Sequence, residues 1–153
     1  MEIKPIIAIA LIILAVLMAA KLSPDINSEQ FREGKYIHID SVEIVLDKTD
    51  ANVYFEYHLS PFAEAYMFFL GSKNLEPKIK EIFANFTEVK IQHIESNSVS
   101  LQIMNFSRKK DQYYLHDSRN FGVSPDTLTI VYPDGTTKIF QRPVSTPNTF
   151  FTQ

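Results

Sequence analysis

With 153 residues, 15 Lys+Arg against 18 Asp+Glu and a net charge of −3, the chain carries one domain's worth of core and no basic field, which argues against a nucleic-acid partner. It has no cysteine, so a disulfide framework, thiolate catalysis and cysteine-based zinc sites are excluded. Only four glycines are present and no Gly-rich phosphate loop, which disfavours a nucleotide fold.

The first stretch, residues 5–20, reads PIIAIALIILAVLMAA and lies between Lys4 and Lys21. It holds no charge and no hydrogen-bonding side chain. As a helix it spans ~24 Å, against a hydrocarbon core of ~30 Å, and the two lysines can snorkel outward to close the gap. A cleaved signal peptide needs small residues at −3 and −1. A cut after Ala20 puts Met18 at −3, and one after Ala19 puts Leu17 there. The sequence therefore predicts that residues 1–22 form an N-terminal transmembrane anchor, with a signal peptide as the rival reading and residues 23–35 as a polar linker. The implied location is a single-pass membrane protein whose bilayer contact runs through residues 5–20. The sequons Asn85-Phe86-Thr87 and Asn105-Phe106-Ser107 favour an extracytoplasmic domain.

Residues 36–142 read as one folded domain and 143–153 as an extended tail. Tyr36 to Asp47 is a strand in which the buried parity switches at Asp40-Ser41, the mark of a bulge. Val53, Phe55, Tyr57 and Leu59 alternate with Tyr54, Glu56 and His58, so a hairpin with one buried face is expected. Ser60-Pro61 is a helix start. Phe62, Tyr66, Phe69 and Leu70 follow at helical spacing, and Met67 and Phe68 make that helix apolar nearly all round, which predicts a helix sandwiched in the core. A second amphipathic helix runs from Pro77, with Ile79, Ile82, Phe83 and Phe86 on one stripe. Strands resume around Val89, Val99, Tyr113, Thr127 and Thr136, the last two joined by the turn Pro133-Asp134-Gly135. The charged stretch 107–112 reads as a loop. The fold class that follows is α+β: a transmembrane helix, then a small mainly antiparallel sheet with two helices packed on one face.

Two sets of residues invite chemistry. His38-Ile-Asp40 and Glu56-Tyr-His58 each place a carboxylate two residues from an imidazole on one strand face. If the two strands pair, His38, Asp40, Glu56 and His58 become a candidate metal set. The second set is a contact surface: Met67 and Phe68 on the first helix, the basic run Arg108-Lys109-Lys110, and His116 and Arg119 in the long irregular stretch 116–125. Ser118 beside His116-Asp117 has no strained-turn context, so a catalytic triad is set aside. The sequence thus points to a membrane-anchored binding or interaction module, with no cofactor, working beside the bilayer and another membrane protein. A metal-binding or hydrolytic domain built on His38, Asp40, Glu56 and His58 is the alternative, and an enzyme is the less favoured class.

Overall fold

Apolar residues alternating with polar ones build the first hairpin. The computed structural model describes residues 36–70 and 75–153, leaving out the side chains of Phe62, Tyr66, Met67, Phe69 and Leu70. Strand β1 (Ile37–Asp47) turns through Lys48, which takes a left-handed φ of 54°, into antiparallel β2 (Asp50–Leu59). Ile37, Ile39, Val42, Ile44 and Leu46 of β1 and Ala51, Val53, Phe55 and Tyr57 of β2 all face the core. His38 pairs with His58 and Ile39 with Tyr57, but Ser41 pairs with Glu56, so Asp40 is the extra residue of a bulge. That bulge is what allows both Ile39 and Val42 to point inward.

Ser60 then caps helix α1 (Pro61–Leu70): its carbonyl accepts from the Glu64 N–H at 2.9 Å and its Oγ from the Ala63 N–H at 3.4 Å. Helix α2 (Glu76–Ile82) carries a proline in its first turn, where a missing N–H costs nothing. Ion pairs Glu76–Lys80 and Lys78–Glu81, both at 2.7 Å, line its wet side, while Ile79 and Ile82 are buried. The helix stops four residues short of the apolar stripe read in the sequence, yet Phe83 and Phe86 beyond its end are still buried. The Phe83 ring lies 5.7 Å from Phe55, 5.6 Å from Phe86 and 6.2 Å from Phe121. This aromatic cluster joins the helical segment to the sheet, and such pairs contribute about 0.5–1.5 kcal/mol each beyond their buried area.

The remaining elements are β3 (Glu88–Ile94), β4 (Ser98–Met104), β5 (Arg108–Lys110), β6 (Tyr113–His116), β7 (Thr127–Val131), β8 (Thr137–Gln141) and β9 (Thr149–Phe151). Six strands form one sheet in the order β3-β4-β2-β1-β7-β8. Within it β1 and β7 run parallel, with Ser41 opposite Thr127 and Val45 opposite Val131. A second, three-stranded sheet has the order β5-β6-β9.

Four readings of the sequence are corrected here. The fold is mainly β, with nine strands and two short helices among the described residues, and the large sheet is mixed, not α+β with an antiparallel sheet under two helices. Charges in 107–112 and prolines in the tail hide β5 and β9, two short strands stabilised by pairing with β6 and not by an apolar pattern of their own. The third correction concerns the single-pass, signal-anchor reading. Among the described residues no helix is long and apolar enough to cross a membrane, α1 having ten residues and α2 seven. The segment 5–20 on which that reading rested, and the linker 23–35, lie outside the described residues. The sandwiched position expected for α1 also fails at the one large apolar side chain described there: Phe68 is 85% exposed.

Candidate metal centre

The β1–β2 register brings the two histidines face to face. His38 and His58 are direct partners across the ladder, on the side of the sheet opposite Ile39 and Tyr57, and their rings lie 4.7 Å apart at 36°. The bulge at Asp40 adds a carboxylate beside them. His58 Nδ1 stands 2.8 Å from Asp40 Oδ1, and His38 Nε2 stands 3.9 Å from the same oxygen. One ligand-type atom from each of His38, Asp40 and His58 therefore lies within 4.8 Å of the other two. All three side chains are about half exposed, so an ion reaches them directly from solvent.

A fourth group comes from outside the hairpin. Asp126, just before β7, places Oδ2 2.9 Å from His38 Nε2. Its backbone is fixed on both sides: the Asp126 N–H donates to the Ile39 carbonyl at 3.0 Å, and its carbonyl accepts from the Arg142 N–H at 2.7 Å. The hydrogen bond from His38 holds the Asp126 carboxyl below the ordinary carboxylate range; desolvation opposes this, and the charges of His38, Arg142 and His58, each a smaller effect, reinforce it. In this arrangement the nitrogens facing the carboxylates act as N–H donors, and each must release that proton before it can hold a metal.

Of the four residues singled out from the sequence, three are brought together and one is not. Glu56 lies across from Ser41, whose Oγ donates to Glu56 Oε2 at 3.2 Å, and it is outside the cluster. The bulge shifts the pairing by one residue, and that moves Glu56 one step along the strand from Asp40. Asp126 was missed because it is 88 residues from His38 in the chain. No local spacing signals a parallel pairing of that range.

The contact-surface residues are scattered. His116 is 2% exposed and stacks on Phe106 with ring centroids 3.7 Å apart. Its Nδ1–H donates to the Phe106 carbonyl and its Nε2 accepts from the Thr146 hydroxyl, both at 2.7 Å. Burial pushes this imidazole below its ordinary pKa, as does the Arg119 charge, against the Phe106 carbonyl and Asp117, which raise it. Arg119 donates to Thr87 Oγ1 at 2.7 Å and covers the Phe86 ring. Arg108 lies 3.3 Å from Asp117, while Lys109 and Lys110 are exposed on β5. Phe68 is exposed on α1, and the Met67 side chain lies outside the described residues. His116 through Thr146, and Arg119 through its backbone bonds with Thr146, pin the C-terminal segment to the domain.

Set against known protein families, curated proteins and solved structures, the chain finds no match in any of the three. The reading of the site rests on its own chemistry.

Proposed function

We propose that this domain is a metal-binding module that holds a divalent transition ion through His38, Asp40 and His58. The observation that carries the reading is the convergence of one imidazole nitrogen from each histidine and one Asp40 oxygen within 4.8 Å. Ligand atoms of a tetrahedral ion with bonds of about 2.0–2.1 Å stand roughly 3.3 Å apart. The separations of 2.8 and 3.9 Å to Asp40 Oδ1 bracket that value, so small rotations of the side chains would suffice. Two imidazoles with a carboxylate suit zinc, copper, nickel or iron better than calcium or magnesium, which take all-oxygen shells. Titration of the purified full chain with Zn2+ by calorimetry tests this. One equivalent should bind, His38→Ala and His58→Ala should each lose most of the affinity, and Glu56→Ala should keep it. Equal binding by wild type and the double histidine variant would overturn the assignment.

A further inference from the structure

The three residues of the hairpin would leave a metal open on one side, as a catalytic site requires. Asp126 decides otherwise. A carboxylate that merely orients a metal-bound histidine bonds to the ring nitrogen that does not hold the metal. Asp126 does the opposite. It sits 2.9 Å from His38 Nε2, the same nitrogen that faces Asp40 Oδ1 at 3.9 Å. The carboxylate therefore lies on the ligand side of the ring; it is outside the group of three that falls within 4.8 Å, and its side chain would have to turn toward Asp40 and His58 to reach a shared ion.

From this geometry, and resting on the metal-binding reading above, we infer that Asp126 is a fourth protein ligand. The ion then closes a four-coordinate site that clasps the β1–β2 hairpin to the parallel strand β7. The anchor points suit that role. His38 and Asp40 lie at the bulged start of β1, His58 is at the end of β2, and Asp126 immediately precedes β7. The Asp126 N–H already bonds to the Ile39 carbonyl inside the bulge, so the aspartate is held in place before any ion arrives. A single ion would bridge segments separated by 88 residues. It would hold shut the parallel pairing of β1 with β7. Its work is structural: a closed shell of two imidazoles and two carboxylates leaves no position for a substrate or an activated water.

Cobalt substitution and zinc-dependent melting of the full chain test the clasp. Loaded with Co2+, the wild type should show the intense visible bands of a four-coordinate ion, and Asp126→Ala should lose them as waters enter the shell. The Asp126→Ala variant should bind Zn2+ at least ~10-fold more weakly, the smallest loss expected even for an outer carboxylate. It should also lose most of the zinc-induced rise in melting temperature. Asp126→Asn, which keeps the side chain's shape and the backbone bonds, checks that folding is intact through its metal-free melt. If wild type binds zinc but Asp126→Ala matches it in affinity, cobalt spectrum and melting, the clasp is refuted while the three-residue site stands. If wild type binds no zinc, both fall together.

Discussion

Gly122→Ala is the substitution whose cost follows most directly from the geometry. Gly122 has no left-handed φ, so alanine meets no backbone penalty there. On chain entropy alone the change should stabilise the protein by about 0.4–1 kcal/mol. Sterics point the other way. A methyl carbon at this position would sit 2.6 Å from the Glu81 carbonyl oxygen and 3.1 Å from Ile82 Cα. Both are backbone atoms in the last turn of α2, so neither can swing aside as a side-chain tip would. The Gly122 N–H also donates to the Ile82 carbonyl at 2.8 Å, satisfying an acceptor that the helix end leaves unpaired. Relief of the clash pushes the 121–122 segment away from α2 and stretches that bond. Overpacking costs about 1–3 kcal/mol, and a weakened hydrogen bond adds about 0.5–1.5 kcal/mol. Against the entropic gain, the net loss is about 0.5–4 kcal/mol. Urea melts followed by circular dichroism read it as a lower midpoint with an unchanged slope. A Gly122→Ala protein as stable as wild type, or more so, would refute the close packing of α2 on the 121–122 segment.

Acid should weaken the fold through His116. Its pKa in the folded state is pushed below the ordinary 6.5, so the folded protein binds fewer protons than the unfolded chain. Stability is full above pH 6.5 and is lost as the pH falls through the folded value. Denaturant midpoints at pH 7.5 and 5.5 should differ less in His116→Gln than in wild type, and an unchanged difference would refute this. Phe83→Ala removes the centre of the aromatic cluster and should cost about 3–5 kcal/mol in the same assay. Phe68→Asp changes a ring that is 85% exposed and should shift stability by no more than ~0.5 kcal/mol. A Phe68→Asp loss as large as that of Phe83→Ala would place α1 inside the core.

The hairpin and its bulge were legible in the sequence because burial on one face imposes a period of two, and the slip at Asp40-Ser41 breaks it visibly. The same logic located Ser60 as a cap and joined His38 to His58 across the ladder. It failed wherever distant segments decide the outcome. Nothing near Asp126 announces that β7 will lie beside β1 in parallel, so the second carboxylate at His38 was invisible and Glu56 was taken in its place. Helix α1 misled for a different reason. An all-round apolar pattern says that a helix avoids water, but not which neighbour covers it, and Phe68 is 85% exposed. His116 sits in an irregular, polar stretch that resembles a contact loop, yet its ring is buried because Phe106 and Thr146 supply a stacking face and two hydrogen-bond partners from elsewhere in the chain.

The parallel seam also sets an order of events during synthesis. Thr127 emerges 86 residues after its partner Ser41. The β1–β2 hairpin, whose ends lie close in sequence, can form within microseconds of leaving the ribosome. At a typical ~5–20 residues per second, β7 follows only after several seconds or more. Through that interval one edge of β1 has unpaired amides and carbonyls beside the apolar side chains of Val42 and Ile44, which is the template that strangers join. In the finished sheet β1 is an interior strand and this edge is gone. A nascent chain stalled before residue 126 would keep it open, so the hazard of this fold lies in its unfinished chains and in any truncation that removes β7.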